Sequence, residues 1–340
     1  KGGREEGRKG GREEGVSRRC GCGVQFRGAP GVRSKVSTRA DLEAMAAKLA
    51  AHPDYRVLRR LDTLRQRPAL DGSAVRRAAI VDTETTGTDP TVDKVIELAI
   101  VVVEYSHVTG TVGRVLETYD ALEDPGMPIP PASTAIHGIT DAMVAGQHIA
   151  DARVGQLLES VGIVIAHNAG FDRKFLEPRL PVFATLPWGC SWQEVPWSDA
   201  GIASSKLEYL AYRYGFFYDG HRAEADCHAL LEVLSQPFGA TGGTALKVLL
   251  DSARSPSFRL WANNSPFETK DVLKQRGYWW DAGRRCWSIE VRSQEAVQEE
   301  LAWLRDAVYA GKNVELDLDE FDARTRYAAR EGRRTKLRTK

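Results

Sequence analysis

The sequence has few cysteines and no long apolar run, and each shortage excludes a class of protein. Its 340 residues contain five cysteines, far below the density of a disulfide scaffold, so we expect a reducing, cytoplasmic location. No stretch approaches the ~18 consecutive apolar residues that a membrane helix needs, and residues 1–30 lack the apolar core of a secretory signal. We therefore expect a soluble protein without membrane association.

Net charge is also low, at +1, but the charges are unevenly distributed. Residues 1–77 carry 19 basic against 9 acidic side chains, residues 78–237 carry 9 against 22, and residues 238–340 carry 19 against 15. An acidic middle between basic flanks suits a protein whose centre holds divalent cations while its edges contact a polyanion. Charged side chains that simply face water would give the same pattern, so the sequence motifs are needed to distinguish the two explanations.

The first 77 residues do not have the pattern of a packed domain. Residues 1–40 repeat Gly, Arg and Glu with almost no apolar side chain, and we expect them to be disordered. Residues 41–77 have apolar side chains at helical spacing on both sides of Pro53, which predicts a preface of two short helices. These side chains are Leu42, Met45, Leu49, Val57, Leu58 and Leu61.

Residues 78–237 alternate strand-like and helix-like patterns. The segments AAIVD, VIELAIVVVEY and VGIVIAH are apolar and rich in β-branched residues, as strands buried on both faces of a sheet are. Helical patterns follow at FDRKFLEP, which ends at Pro178, and from near Arg222 to Pro237. Strands interleaved with helices predict an α/β domain around a central mixed sheet.

The remaining residues predict a small second domain. Residues 238–257 include GATGG and are interpreted as a linker. Residues 258–310 combine strand patterns with an amphipathic helix near Leu301, which predicts a small aromatic-rich α+β domain at the C-terminal side. Residues 311–340 are first acidic and then basic, and we expect a tail with a disordered basic end.

The aromatic domain is open to two interpretations. Seven basic residues lie among its rings against four acids between residues 259 and 292, an arrangement that favours stacked bases and bound phosphates. A domain of about 50 residues also needs large side chains to form any core, so purely structural packing is the alternative. The rings are Phe258, Trp261, Phe267, Tyr278, Trp279, Trp280 and Trp287.

Asp82 and Glu84 lie two residues apart at the end of a predicted strand. The two-residue period of a strand puts both side chains on one face, where their oxygens can hold a divalent cation. Two acids at a strand end usually just face water, so this pair alone is weak evidence. The turn that follows, at residues 85–87, is a place where backbone groups can approach a substrate.

Two further motifs place acids and a histidine at helix starts. HNAGFD follows a buried strand and opens a helix, so Asp172 points back toward the end of the sheet. A helix cap made by Asn168 or Asp172 is the alternative. HRAEAD places His221 before a helix and Asp226 within it, so the imidazole can lie over the same site. Taken singly, His221 is better explained as an ordinary loop histidine.

Together these motifs predict a metal-dependent phosphodiester hydrolase. Two Mg²⁺ or Mn²⁺ ions held by carboxylates would neutralise the scissile phosphate, activate a water and stabilise the departing 3′ oxygen. Histidine suits the role of general base because it titrates near neutral pH. The predicted catalytic residues are Asp82, Glu84, Asp172, His221 and Asp226.

The motifs DTETTG, HNAGFD and HRAEAD resemble the three exonuclease motifs of the DEDD superfamily in its histidine-containing form, DEDDh. The arrangement is similar to the proofreading epsilon subunit of bacterial DNA polymerase III, and AIHGIT at residues 135–140 matches an HGIT-like loop of that family. The resemblance covers residues 78–237. It implies a ribonuclease H-like fold and 3′→5′ release of nucleoside monophosphates from DNA ends, in repair or replication.

The resemblance also implies roles for individual residues. His221 would be the general base, and the ligands of the two ions would be Asp82, Glu84, Asp172 and Asp226. The residues near the terminal nucleotide would be Thr85, Gly87, His137 and Phe171. Phe171 fits an ordinary core position equally well. Glu97 is an acid inside an apolar strand; it fits either a supporting place beside the metals or a pairing with Lys94 or a neighbour, and we leave it outside the site.

The chain departs from the polymerase subunit in two places. WGCSWQEVPW brings three tryptophans between the second and third motifs, and an aromatic domain replaces the short polymerase-binding tail. These departures count against polymerase proofreading, and a polymerase or a repair protein is the partner to expect at the C-terminal domain. The predicted substrate is single-stranded or frayed DNA. The alternatives are an exoribonuclease of the same fold and a catalytically silent scaffold, which the complete catalytic set disfavours.

Overall fold

The computed structural model describes residues 38–72, 74–239 and 242–339. The predicted disorder of residues 1–40 therefore lies outside the described residues, apart from its last three positions. The chain divides after Val57 into two compact units. In the first unit, the helix α1 (Arg39–Ala50) begins with a capping box, in which Thr38 Oγ1 accepts a hydrogen bond from the Asp41 N–H at 3.2 Å.

The prediction of a second helix within residues 41–77 is wrong. Beyond the break at Pro53, residues 59–60 form a strand that pairs in parallel with residues 216–217. The pairing gives backbone groups the partners that a helix would otherwise supply. The first long strand of the chain also begins at Val75, three residues before the domain boundary that the sequence predicts.

The strands of the described residues form two five-stranded sheets and two two-stranded ribbons. In chain order they are β1 (Arg59–Arg60), β2 (Val75–Thr85), β3 (Val95–Ser106), β4 (Val112–Leu122), β5 (Ile163–Ala166), β6 (Trp188–Cys190), β7 (Phe216–Phe217), β8 (Pro237–Phe238), β9 (Gly243–Thr244), β10 (Ser257–Ala262), β11 (Trp279–Asp281), β12 (Cys286–Val291), β13 (Glu315–Phe321) and β14 (Arg333–Arg338). The first sheet has the order β4-β3-β2-β5-β6. Its first three strands are antiparallel, whereas β5 and β6 run parallel to β2, so the predicted mixed sheet is confirmed.

Helices cover both faces of this sheet. In chain order the remaining α-helices are α2 (Pro131–His137), α3 (Asp141–Val144), α4 (Asp151–Leu158), α5 (Ala169–Arg179), α6 (Ser191–Glu194), α7 (Leu207–Arg213), α8 (Ala223–Ser235), α9 (Ala245–Arg254), α10 (Lys270–Arg276) and α11 (Gln294–Trp303). Buried side chains of α7, α8 and α9 pack on the face that carries Ile80, and those of α4 and α5 pack on the face that carries Val81. Within the described residues, no helix has the length and apolar character to cross a membrane.

The strand β3 explains why its sequence is a continuous apolar run. Every residue from Val95 to Tyr105 is buried, because side chains of helices pack on both faces of the sheet at this strand. The three strands predicted from AAIVD, VIELAIVVVEY and VGIVIAH are all present, as β2, β3 and β5. The helix predicted from FDRKFLEP is α5, which ends one residue after Pro178.

The prediction of a linker at residues 238–257 is wrong. Half of this segment is the helix α9, whose Leu246, Leu249 and Leu250 are buried in the same apolar core as α8. The apolar residues of ALKVLLDSAR recur at helical spacing, which gives α9 one face to bury against the first sheet. The second sheet accordingly does not form a compact unit of its own, since one unit extends from Leu58 to the end of the chain.

The prediction of a tail at residues 311–340 is also wrong. This segment supplies β13 and β14, which complete an antiparallel second sheet of order β11-β12-β10-β13-β14. Acidic side chains of β13 face basic side chains of β14: Glu315 Oε1 lies 2.6 Å from Lys336 Nζ, and Asp319 Oδ1 lies 2.7 Å from Arg334 Nε. The charges that suggested disorder are therefore cross-strand ion pairs.

The aromatic side chains of the second sheet divide between the two interpretations. Phe258, Trp261 and Tyr278 are buried, and the first and third belong to a core completed by α10 and α11. Phe267, Trp279 and Trp280 are exposed. Packing in the core therefore explains some of the aromatic side chains of the second sheet, and the others lie on the surface.

The two sheets are joined by a buried guanidinium. Arg173 of α5 is fully buried, and it donates hydrogen bonds to the main-chain carbonyls of Ala323, Arg324 and Arg326 at 3.3, 2.6 and 2.7 Å. The main-chain N–H of Trp188 donates a hydrogen bond to the Ala323 carbonyl at 2.7 Å. The segment between β13 and β14 is thus attached to the helix that begins at the second motif.

Candidate active site

Three elements of the first sheet bring the predicted catalytic residues together. Asp82 and Glu84 project from one face of β2, on which α8 packs, and Thr83 projects from the other, on which α5 packs. The helices α8, which carries Asp226, and α5, which carries Asp172, both begin near the end of β2. The two acids therefore approach this end of the strand from opposite faces of the sheet. All five predicted catalytic residues line one cleft of about 360 Å³.

The carboxylates are close enough together to share cations. Asp82, Glu84 and Asp226 each offer an oxygen, and these oxygens lie within 4.8 Å of one another. Asp172 lies outside this group of three, where it accepts a hydrogen bond from Thr83 Oγ1 at 2.9 Å. Carboxylate oxygens are the donors that Mg²⁺ and Mn²⁺ prefer, so this set fits the predicted ions.

Burial raises the pKa of all four carboxyl groups. The pKa of Glu84 rises to about 8 and that of Asp172 to about 7, and in both cases burial is the largest cause. The pKa of Asp82 is raised well above its ordinary value by burial and then by the charge of Asp172. The pKa of Asp226 is also raised by burial, although hydrogen bonds from Tyr218 and the backbone oppose the rise. A divalent cation would supply the missing positive charge.

These pKa directions predict that the metal-free protein becomes less stable as the pH rises from 5 to 8. In this window the folded carboxyls retain protons that unfolded carboxyls, with a pKa of about 4, have lost, so stability falls with pH. Adding Mn²⁺ should raise the Tm at pH 8 by about 5–10 °C and much less at pH 5, where protons compete for the ligands. Thermal unfolding in EDTA and in Mn²⁺ at both pH values measures this. A metal-free Tm that rises between pH 5 and 8 would contradict it.

His221 occupies a left-handed backbone conformation, with φ of 64°. The N–H groups of His221 and Arg222 both donate to Asp226 Oδ2, at 2.8 and 3.2 Å, and these bonds hold the unfavourable conformation in place. The imidazole is about half exposed, and its Nε2 lies 3.8 Å from Glu208 Oε1. The ring is thus accessible at the edge of the cleft, as the prediction of a general base requires.

The structure adds supporting residues that the motifs did not indicate. Tyr218 donates from its hydroxyl to Asp226 Oδ1 at 2.8 Å. Glu97 is fully buried and accepts from Arg222 Nη2 at 2.6 Å and from the Ala223 N–H at 3.0 Å. Glu97 therefore pairs with Arg222 rather than with Lys94, and it fixes the first turn of α8.

Of the residues predicted to lie near the terminal nucleotide, Phe171 lines the cleft and the other three do not. Gly87 is required by local packing, because a Cβ at this position would lie 2.4 Å from the Asp93 carboxylate. His137 is buried beside its own turn, and its Nδ1 accepts from the Ile139 N–H at 3.0 Å. Substrate contacts of Thr85, Gly87 and His137 stay predictions.

One wall of the cleft comes from the tryptophan-rich segment. Trp192 is about half exposed and stacks on His167, with the two rings 12° from parallel and their centroids 6.5 Å apart. Burial lowers the pKa of His167 to about 4, so this imidazole is neutral at physiological pH. The pair presents a flat, uncharged surface beside the carboxylates. The density of tryptophan in WGCSWQEVPW was the available signal, and the sequence did not show which ring would face the site.

Comparisons with known proteins find a matching family and several similar proteins. Residues 79–234 match the model of a family described as Exonuclease, RNase_T. A DNA polymerase III subunit epsilon-like protein of Rhodobacter capsulatus is 45% identical over 102 residues, which make up 28% of this chain and 14% of that protein. A DNA polymerase III of PolC type from Clostridium perfringens is 29% identical over 171 residues, 47% of this chain and 11% of that protein.

Among solved structures, Exonuclease X in complex with 5′ overhanging duplex DNA is 26% identical and covers 50% of this chain and 99% of its own, with a TM-score of 0.36. The chain spans 14% or less of the length of the two polymerase relatives, so that likeness is confined to one segment. The family match over residues 79–234 agrees closely with residues 78–237, the range of the motif resemblance. The resemblance is confirmed, and it applies to residues 79–234, the segment that matches the exonuclease family model.

Proposed function

We propose that this protein is a metal-dependent 3′→5′ exonuclease that releases nucleoside monophosphates from DNA 3′ ends. The observation that carries the proposal is the group formed by Asp82, Glu84 and Asp226, whose oxygens lie within 4.8 Å of one another. Asp172 and His221 line the same cleft, so the full set that hydrolysis needs is present in one place. The family of the domain and its polymerase-related relatives support the same activity.

Each acid has a distinct role in this proposal. Two Mg²⁺ or Mn²⁺ ions, when bound, would neutralise the scissile phosphate, activate the attacking water and stabilise the leaving 3′ oxygen. Asp82 would be the shared ligand, because it groups with Glu84 and Asp226 and the charge of Asp172 also acts on it. Glu84 and Asp226 would complete one ion site, and Asp172 would complete the other.

His221 would take the proton from the attacking water. Its imidazole reaches the cleft from the loop before α8, and its Nε2 lies 3.8 Å from Glu208 Oε1. The hydrogen bonds from the backbone N–H groups to Asp226 fix the position of the loop relative to the ligands. A base and a metal ligand are thereby held in one rigid turn.

The walls of the cleft would orient the terminal nucleotide. Trp192 and Phe171 offer rings on which a base can stack, and Lys206 supplies a cation beside the acids for a phosphate. A cleft of about 360 Å³ admits the end of a single strand, so a paired 3′ end would have to open first. We therefore propose single-stranded or frayed DNA as the substrate, in repair or replication, with a polymerase or repair protein as partner of the C-terminal region.

A digestion assay tests this function. Oligonucleotides labelled at the 5′ or the 3′ end, as single-stranded DNA, mismatched duplex or RNA, are incubated with the protein in Mg²⁺. We expect the 3′ label to leave as a mononucleotide at once and the 5′-labelled strand to shorten progressively. Release from the 5′ end or internal cuts would contradict the proposal. Faster digestion of RNA than of DNA would instead identify an exoribonuclease.

A further inference from the structure

A second cavity, of about 400 Å³, lies at one end of the second sheet and is lined by aromatic and basic side chains. Phe267 is 73% exposed and Trp280 is 49% exposed, which is unusual for large apolar side chains. The cations at the cavity are Lys270 and Arg285. Its lining, taken over the described residues, includes no carboxylate, so the cavity is both aromatic and electropositive.

The rings form the walls of this cavity in a defined arrangement. Trp280 and Trp287 face each other across the β11-β12 pair, with centroids 5.6 Å apart and planes at 64°. Lys270 Nζ lies 4.3 Å from the centroid of the Phe267 ring. Arg285 holds a left-handed backbone, with φ of 51°, in the turn between β11 and β12. This conformation is unfavourable for arginine, and it places a cation at the rim.

A cleft on the opposite face of the same sheet differs from this cavity in whether its cations are paired with acids. That cleft is also rich in arginine, but acids neutralise its charges. Arg284 Nη2 lies 3.0 Å from Asp317 Oδ2, and Arg334 Nε lies 2.7 Å from Asp319 Oδ1. In contrast, Lys270 and Arg285 have no acidic group within 4 Å in the described part of the chain. The two cations are therefore free to bind an anion.

We propose that this cavity binds one nucleotide of a single-stranded DNA strand, with the base stacked on Phe267 or Trp280 and the phosphate held by Lys270 and Arg285. Aromatic rings accept any base on their faces, and uncompensated cations attract phosphate. The proposal rests on the proposed function in taking a DNA strand as substrate, but it involves no catalytic group. The cavity would hold a long strand outside the catalytic cleft while its 3′ end is hydrolysed.

The test is binding of a fluorescent 20-nucleotide deoxythymidine strand, measured by anisotropy in EDTA so that hydrolysis does not interfere. The variants Phe267→Ala and Trp280→Ala should each weaken binding about 10-fold. Trp279→Ala is the matched control, because Trp279 is a neighbouring exposed tryptophan on the opposite face of the same strand. It should change binding less than about 2-fold.

A second measurement tests the role of the cations. The double variant Lys270→Gln, Arg285→Gln should make the dependence of log Kd on log salt shallower by about 0.7, the contribution of one neutralised phosphate on a single strand. The proposal would be overturned if the wild-type protein did not bind the strand, or if a blunt duplex of equal length competed equally well. It would also fail if Phe267→Ala and Trp280→Ala bound like the wild type, or if Trp279→Ala lost as much.

The outcome is separable from that of the proposed function. Phe267→Ala should hydrolyse a dinucleotide at the wild-type rate, because a substrate of that length is held by the catalytic cleft alone. Slower hydrolysis of the dinucleotide would place Phe267 in support of the active site and would overturn the cavity proposal. Full binding by Phe267→Ala together with normal 3′→5′ digestion would overturn the cavity proposal and leave the exonuclease proposal intact.

Discussion

Replacing Asp82 by Ala should lower the turnover of single-stranded DNA by about 10⁴-fold or more. The carboxylate groups with Glu84 and Asp226, and the charge of Asp172 also acts on it, so its loss would disturb both predicted ion sites. Each ion contributes several kcal/mol of transition-state stabilisation, and every 1.36 kcal/mol is a factor of ten in rate. The measurement is single-turnover hydrolysis of a 3′-labelled strand at saturating Mg²⁺. Chelation of the wild-type protein with EDTA should have an equally large effect.

The same substitution should have the opposite effect on stability. Burial and neighbouring charge raise the pKa of Asp82, so removing this carboxyl relieves repulsion in the metal-free protein at pH 8. Its Tm in EDTA should equal or exceed that of the wild type, and Mn²⁺ should raise it much less. The matched control is Glu104→Gln, a buried carboxyl of the same sheet that pairs with Arg114 outside the cleft. Undiminished activity of the Asp82→Ala variant would contradict the proposed two-metal mechanism.

Replacing His221 by Ala should reduce kcat by about 10²–10⁴-fold with little change in KM, the usual contribution of a positioned general base. His221 has a φ of 64°, a left-handed conformation that alanine disfavours, so the Ala variant changes the backbone as well as the side chain. The second variant is therefore His221→Asn, since asparagine tolerates this conformation but has no imidazole. We expect both variants to lose activity to a similar extent.

The pair of variants separates chemistry from backbone conformation. If His221→Asn were as active as the wild type while His221→Ala was not, the residue would serve to shape the loop that positions Asp226. If both were fully active, another group would have to accept the proton. Binding of the 20-nucleotide strand in EDTA should stay unchanged in both variants, which confirms that substrate affinity is not the cause of the loss.

The sequence predicted the centre of the site because its geometry is local. The two-residue spacing of Asp82 and Glu84 requires both side chains on one face of a strand. Asp172 and Asp226 each lie within the first turns of a helix that follows recognisable strand or loop signals. Local periodicity thus brings each residue to the end of the sheet, and the sheet order then joins them.

The supporting contacts could not be predicted because they join residues far apart in the chain. Glu97 and Arg222 are separated by 125 positions, and no periodic pattern relates them. Tyr218 stands in FFYDG, where an aromatic residue has the pattern of a core side chain. Its hydroxyl is instead a donor to Asp226. Partners of this kind depend on how the helices pack, which spacing in the sequence does not encode.

The fold was mispredicted where charge was taken as a sign of disorder. The segments ELDLDEF and RRTKLR alternate charged and other residues with period two, which is a strand signal. Each segment alone is too polar to indicate a buried strand. The opposite charges become favourable only when the two strands pair, as Asp319 and Arg334 do.

The contacts of Arg173 limit which segments of this protein can be exchanged by recombination. The guanidinium belongs to the helix that carries Asp172, where it pairs with Glu177. Its three main-chain acceptors come from residues 323–326, about 90 positions beyond the end of the family match. A buried donor that is left without an acceptor costs about 1–3 kcal/mol, a substantial part of the stability of a typical domain. Recombination that transferred residues 79–234 alone would remove these three acceptors from the guanidinium. We therefore expect the C-terminal residues to be inherited together with the catalytic ones, although the family match ends at residue 234.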